Sequence, residues 1–170
     1  MNMYTKVIIG VMGPGEGATP EQNELAYELG AAIAMEGWVT LTGGREFGVM
    51  QAALKGASDN NGLTIGVLPG ESTDGGSKYA QIKIVTGIGS ARNNINALSS
   101  HVVVVLGMTP GTASEVALAL KANKKVILLE QDELSAAFFK KIGTYRIVTA
   151  NSIQQVIEQI HDLISLKQIC

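Results

Sequence analysis

Residues 102–121 read VVVVLGMTPGTASEVALALK, and this stretch indicates the class of fold. The apolar run from Val102 to Leu106 predicts a strand buried on both faces, because a half-exposed strand would alternate apolar with polar side chains. A turn containing glycine and proline follows, and the next segment predicts a helix over Thr112–Lys121. A buried strand, a short turn and a helix form the repeating unit of a parallel α/β fold.

The same alternation extends along the whole chain. Strands are predicted over residues 7–12, 39–42, 63–68, 82–85, 102–106, 126–129 and 145–148, and helices over 50–58, 91–99, 112–121 and 152–166 after a first helix that ends at Gly37. Thr19 with Gln22, and Ser152 with Gln155, predict capping boxes at the starts of the first and last helices. We therefore expect a single domain over residues 1–170, an α/β fold with a doubly wound, mostly parallel sheet and helices on both faces.

The overall composition excludes several classes of partner. The chain has 170 residues, a net charge of -2 and 16% charged residues. Because the chain is nearly neutral, we expect neither a nucleic-acid partner nor a membrane-surface partner. No apolar run reaches the ~18 residues of a membrane span. The low charged fraction favours a homo-oligomer, since part of the surface would then be covered by another subunit.

Metal and disulfide chemistry have little support in the sequence. Cys170 is the single cysteine, so we expect neither an internal disulfide nor a cysteine-rich metal site, and this fits a cytoplasmic protein. His101 and His161 have no neighbouring cysteine and are interpreted as structural or solvated side chains. No metal site is predicted.

Glycine-rich segments follow four of the predicted strands. They are Gly13-Pro14-Gly15, Gly43-Gly44-Arg45, Gly87 to Asn93, and Gly107 to Thr112. In a doubly wound sheet, ligands bind beyond the carboxyl ends of the strands, where these segments lie. Glycine lets the backbone approach a ligand, helix N-termini attract anions, and arginine suits phosphate. The sequence therefore predicts a site for a small molecule that bears a phosphate.

The common nucleotide-binding motifs are missing from these segments. The sequence has neither the GxxxxGK[ST] loop nor the GxGxxG fingerprint, and the second strand does not end in an acidic residue that would hold a ribose. No GxSxG elbow is present either. We therefore expect no ordinary NAD-dependent chemistry. The long polar segment Pro69 to Tyr79 is interpreted as a loop, either a lid or a mobile segment.

Two interpretations of Glu115 stay open at this stage. Thr112 and Glu115 have the spacing of a capping box, in which Glu115 would accept from the Thr112 N–H. Alternatively, Glu115 is a carboxylate beside the anion site, able to hold sugar hydroxyls or to stabilise positive charge in a transition state.

Gly111, Thr112 and Glu115, with Arg92 placed 23 residues before Glu115, resemble the LONELY GUY type of phosphoribohydrolase. Those enzymes carry the motif PGGxGTxxE after an Arg-Lys pair. The resemblance implies cleavage of a nucleoside 5′-monophosphate to base and ribose 5-phosphate, with Arg92 and Glu115 catalytic. Asn93 stands where the enzymes have lysine.

A second resemblance covers nearly the whole chain. Its segments are IGVMGPG at 9–15, LTGGR at 41–45, GVM at 48–50, GLTIGVLPG at 62–70, TGIG at 86–89, ARN at 91–93 and PGTASE at 110–115. They are similar to the branch that contains the molybdenum cofactor carrier proteins, in which the Arg-Asn pair is typical. The resemblance implies a Rossmann-like fold, a dimer or tetramer, and a pterin phosphate that is bound, protected and carried without turnover.

The carrier resemblance completes the set of candidate residues. They are Gly13, Pro14, Gly15, Gly43, Gly44, Arg45, Arg92, Asn93, Pro110, Gly111, Thr112 and Glu115. Molybdoenzymes and cofactor biosynthesis proteins are the partners that a carrier implies. The alternatives are the phosphoribohydrolase, which would use Arg92 and Glu115 as its catalytic residues, and a module that senses a nucleotide without turnover.

Overall fold

The computed structural model describes residues 6–167, in which seven strands form one sheet. The strands are β1 Ile8–Met12, β2 Val39–Thr42, β3 Thr64–Leu68, β4 Ile82–Val85, β5 Val102–Leu106, β6 Lys125–Leu129 and β7 Ile147–Ala150. The helices are α1 Pro20–Met35, α2 Gly48–Asp59, α3 Asn93–Ser99, α4 Pro110–Lys121, α5 Glu133–Gly143 and α6 Ile153–Lys167. All of these strands pair in parallel, in the order β4-β3-β2-β1-β5-β6-β7.

Apolar side chains bury both faces of this sheet, which confirms the predicted doubly wound arrangement. Ile9 and Val104 pack on one face against buried residues of α1, α2 and α6, such as Leu29. Val103 and Val105 pack on the other face against buried residues of α3, α4 and α5. The continuous run of valines in β5 is therefore explained, since successive side chains of a strand point to opposite faces and both faces are covered.

One helix was not predicted. In α5, Phe139 is buried, whereas Leu134, Phe138 and Ile142, spaced at i, i+4 and i+8, form an exposed apolar stripe. This helical periodicity is present in the sequence but was not recognised. Asp132 nevertheless marks its start, because its carboxylate accepts from the Ser135 N–H at 2.9 Å.

The helix starts differ in detail from the predictions. The capping box of Thr19 and Gln22 is confirmed. At α6, Ser152 accepts from the Gln155 N–H as predicted, but the Gln155 side chain accepts from Asn151 instead of Ser152. The helix predicted over 91–99 is a 3₁₀ turn over Gly89–Arg92 followed by α3, and α4 begins two residues earlier than predicted.

The long polar segment 69–79 is attached to the loop after β2. The Ser77 N–H donates to the Gly44 carbonyl at 2.8 Å, and the Glu46 N–H donates to the Gly75 carbonyl at 3.2 Å. Arg45 also forms an isolated bridge with Gly76. Among residues 6–167, no helix is long and apolar enough to cross a membrane.

Candidate functional site

A cavity of about 230 Å³ opens at the carboxyl edge of the sheet, where β1 and β5 are neighbours. The chain builds β2, β3 and β4 on one side of β1, then returns to add β5 on the other side. This reversal is the switch point at which doubly wound sheets bind ligands. The loops after β1, β2, β4 and β5 all contribute to the cavity, as predicted.

Nine of the twelve candidate residues line this cavity. They are Gly13, Gly15, Gly43, Arg45, Arg92, Asn93, Gly111, Thr112 and Glu115. No residue of the segment 69–79 lines it. The position of the cavity therefore follows from the sequence, because parallel strands bring their following loops to one edge.

Pro14, Gly44 and Pro110 do not line the cavity, and the structure gives each a different role. The Pro14 carbonyl accepts from the Val49 N–H at 3.0 Å, which joins the first glycine loop to α2. Gly44 has a positive φ of 74° and packs against Gly66, so a side chain there would collide with β3. Pro110 is the first residue of α4, where its missing N–H costs nothing.

Five lining residues were missed: Val11, Met12, Met50, Ser90 and Thr109. Thr109 could have been identified, because Thr109-Pro110 repeats the cap and proline signature that Thr19-Pro20 shows at the start of α1. Ser90 lies within the glycine segment before Arg92. The apolar residues carry no sequence signal that separates a cavity wall from a core position.

Arg92 supplies a buried positive charge to the cavity. Its side chain is 9% exposed, and its Nε atom is buried without a hydrogen-bond partner. Burial lowers the pKa of Arg92 from its ordinary value, although the nearby Glu115 carboxylate opposes this shift. A buried and incompletely satisfied guanidinium is costly for folding, and an anion in the cavity would compensate for that cost.

Gly43 makes room for this guanidinium. A Cβ atom built at Gly43 would collide with Nη1 of Arg92 and would lie 2.8 Å from the Met50 sulfur. The sequence predicts that Gly43 lets the backbone approach an anion. The structure adds a second role that the sequence did not indicate, which is to leave space for the Arg92 side chain.

Glu115 faces the cavity from α4, and the capping-box interpretation is wrong. The Thr112 N–H donates to the Thr109 hydroxyl at 3.2 Å, so the donor that Glu115 would need is already used. Glu115 instead accepts from the Nδ2 atom of Asn96 at 2.8 Å. Its side chain belongs to the site and does not cap the helix.

Asn93 joins α3 to the first turn of α4. Its Nδ2 atom donates to the Ser114 hydroxyl at 2.7 Å and lies 3.4 Å from the Gly111 carbonyl. Gly111 and Thr112 therefore present the N-terminus of α4, with its partial positive charge, to the same cavity as Arg92. This arrangement suits an anion.

The two histidines lie outside the cavity. His101 accepts from the Ile8 N–H at 3.0 Å, and His161 lies 2.8 Å from the Glu36 carboxylate. Within residues 6–167, no three or more His, Cys, Asp or Glu side chains are grouped as metal ligands would be.

We expect Thr109→Ala to lower the free energy of unfolding by about 1 kcal/mol, because α4 loses its N-cap. The same change should weaken binding of inorganic phosphate several-fold, because the first turn of α4 forms part of the cavity. Urea unfolding and phosphate titration would measure the two effects. Thr19→Ala is the matched control, since it removes the N-cap of α1 and should cost similar stability without affecting phosphate.

The stability of the protein should depend on pH through Glu115. Burial raises the pKa of this carboxyl from 4.5 to about 7, against the opposing effects of the Asn96 hydrogen bond and Arg92. The folded state thus holds this proton more tightly than the unfolded state, and protonation of Glu115 stabilises the fold. This stabilisation is present in full below pH 4.5 and is lost as the pH rises through about 7. From pH 5 to 8 we expect a loss of about 2 kcal/mol.

Urea unfolding at several pH values would measure this loss. Glu115→Gln should remove it, whereas the exposed Glu24→Gln on α1 should leave it unchanged. An identical slope in Glu115→Gln and in the wild type would contradict the assignment.

The sequence matches the SLOG cluster4 family over residues 6–157. The chain belongs to this family. A molybdenum cofactor binding protein from the phototrophic bacterium Rippkaea orientalis is 53% identical, with a TM-score of 0.92 over 95% of this chain and 99% of that one. The molybdenum cofactor carrier protein of Chlamydomonas reinhardtii is 50% identical, with a TM-score of 0.91 and the same coverage. The predicted resemblance to the branch containing the carrier proteins is confirmed.

Two further relatives are matched over shorter lengths. An uncharacterised protein from Archaeoglobus fulgidus is 42% identical over 122 residues, which are 72% of this chain and 79% of that one. A cytokinin riboside 5′-monophosphate phosphoribohydrolase from Mycobacterium marinum is 44% identical over 50 residues, 29% of this chain and 27% of that one. The similarity to carriers is thus nearly complete in length, whereas the match to the hydrolase is local.

Proposed function

We propose that this member of the SLOG cluster4 family binds a pterin phosphate of the molybdenum cofactor type, protects it and carries it without chemical change. The observation that supports this most strongly is the identity of 50–53% over 95% of the chain with proteins described as binding or carrying that cofactor. The cavity supports it independently, because its charges suit an anion.

The phosphate of the cofactor fits the cavity chemically. Arg92 is buried with an unpartnered Nε, Arg45 stands at the rim, and the first turn of α4 adds partial positive charge. The cofactor contributes its own sulfur ligands to the metal, so the protein needs no soft metal ligand. We propose that Arg92, Arg45, Gly111 and Thr112 hold the phosphate, with the other predicted lining residues around it.

The cavity encloses only part of such a ligand. Its volume of about 230 Å³ is below the roughly 300–1,000 Å³ of sites that enclose a drug-sized molecule. The pterin would therefore extend past the rim of the cavity. We propose that a homo-oligomer, a dimer or tetramer, shields this part of the bound cofactor from oxidation.

The cellular setting is a proposal of the same kind. A single cysteine suits a reducing compartment such as the cytoplasm, where molybdoenzymes and cofactor biosynthesis proteins would receive and supply the cofactor.

A test must separate a carrier from a phosphoribohydrolase, because Arg92 and Glu115 share one cavity as hydrolysis would require. Purified protein is incubated without oxygen with isolated molybdenum cofactor, and separately with AMP. Cofactor retained after gel filtration and ribose 5-phosphate released from AMP are measured. We expect retention of the cofactor and no release of ribose 5-phosphate.

Arg45→Ala should reduce retention of the cofactor. Arg146→Ala is the matched control, because Arg146 lies over the ring of Tyr145 and outside the cavity. Steady cleavage of AMP that disappears in Glu115→Ala would overturn the carrier proposal in favour of the hydrolase.

A further inference from the structure

Asn96 is buried behind the cavity and contacts Glu115 from α3. Asn96 is 0% exposed and does not line the cavity, so its side chain has no direct access to a ligand. Its Nδ2 atom donates to the Glu115 carboxylate at 2.8 Å. Its Oδ1 atom is buried and has no hydrogen-bond partner. An unsatisfied acceptor on the residue that holds a buried carboxyl requires an explanation.

Glu115 lacks an ion pair that would keep it ionised. Its side chain is 8% exposed, and it forms no ion pair with any residue that the structure describes. The charged groups that face it are Arg92 at the start of α3 and Arg45 after β2, while the lining residues from β1, α2 and α4 are uncharged. Burial favours the neutral acid and raises the pKa of Glu115 to about 7, whereas the Asn96 hydrogen bond and Arg92 favour the carboxylate.

An anion in the same cavity changes this balance. A phosphate would occupy the positive field of Arg92 and would place negative charge close to the Glu115 carboxyl. Neighbouring like charges disfavour ionisation, so the carboxyl would hold its proton more tightly.

Asn96 is able to bind either form of this carboxyl. Its Nδ2 donates to the ionised form, as the structure shows. Rotation of the amide by about 180° exchanges Nδ2 with Oδ1, so that the neutral acid donates its O–H to Oδ1. Neither an apolar side chain nor an aspartate would serve both forms.

We propose that Asn96 is a positioning residue for Glu115, and that binding of an anionic ligand in this cavity takes up one proton from solvent onto Glu115. The inference rests on the proposed function only in requiring that the cavity binds an anion. The cavity would then favour ligand at lower pH and release it as the pH rises.

Isothermal titration calorimetry tests the proton directly. Isolated molybdenum cofactor, kept without oxygen, is titrated into the wild-type protein at pH 8 in three buffers of different ionisation enthalpy, and AMP is titrated in a parallel series. At pH 8 a phosphate monoester is already a dianion, so proton uptake reports on the protein. We expect uptake of nearly one proton in the wild type and none in Glu115→Gln. Asn94→Ala, an exposed position on α3, should behave as the wild type.

Binding whose enthalpy does not depend on the buffer would overturn this inference and leave the carrier proposal standing. Uptake that persists in Glu115→Gln would overturn it as well. If only AMP binds and takes up a proton, the inference holds for a nucleotide and the carrier proposal fails. If neither ligand binds, both fail.

The role of Asn96 is tested without mutating it. In the wild-type protein, the side-chain amide resonances of Asn96 should shift with pH at the same midpoint as the Glu115 carboxyl carbon, and those of Asn94 should not. This pH profile would not be expected of an asparagine with a merely structural role. Amide resonances of Asn96 that do not move across the Glu115 titration would refute the positioning role.

Discussion

Arg92→Met is expected to weaken binding of the pterin phosphate at least about thirty-fold and to stabilise the unliganded protein. The guanidinium is 9% exposed with an unpartnered Nε, so it is desolvated without full compensation. Removing one partner of a buried charge pair typically costs about 2–5 kcal/mol of binding. An apolar side chain of similar length removes the desolvation penalty of this guanidinium, which for a buried ion is on the order of several kcal/mol.

Calorimetry and thermal unfolding of the same preparation would measure both effects. Arg45→Met is the matched control, because Arg45 is exposed and has no such desolvation to relieve. We expect it to weaken binding by about ten-fold or less and to leave the melting temperature unchanged. A lower melting temperature in Arg92→Met would show that the guanidinium stabilises the fold, contrary to the role assigned to it.

The place of the site in the fold could be predicted from the sequence. The strands were predicted because their apolar runs are a direct consequence of burial on both faces, as in Val102 to Leu106. Their following loops then had to meet at one edge, which predicted that Arg92 and Glu115 lie at one site. These arguments depend only on chain order and on the geometry of parallel sheets.

What the sequence did not predict depends on contacts between distant residues. The hydrogen bond between Asn96 and Glu115 joins two helices across 19 residues, and the local sequence around neither residue indicates it. The capping box at Thr112 failed because Thr109 supplied a better cap, and local spacing alone could not decide between them. Helix α5 is different, because Leu134, Phe138 and Ile142 follow one another at helical spacing and could have indicated it, although they face solvent.

Gly43→Ala is expected to abolish most of the binding while changing stability by less than about 1 kcal/mol. Gly43 does not have a positive φ, so alanine is allowed by the backbone. Its Cβ would collide with the Arg92 guanidinium and lie 2.8 Å from the Met50 sulfur, and both are ends of flexible side chains. The guanidinium can therefore move, but the open direction is into the cavity, where it would occupy the space of the anion. We expect affinity for the pterin phosphate to fall at least about ten-fold.

A double-mutant cycle tests this mechanism. In an Arg92→Ala background the obstructing guanidinium is absent, so adding Gly43→Ala should weaken binding no further, because the two changes act through one contact. Gly17→Ala is the matched control, since a Cβ there meets nothing within 4 Å and binding and stability should both be preserved. Gly13→Ala should differ from Gly43→Ala in lowering the stability of the fold. Its Cβ would collide with the Leu106 carbonyl, and the backbone cannot move aside as a side chain can. Independent losses from Gly43→Ala and Arg92→Ala would mean that Gly43 contacts the ligand through its own backbone.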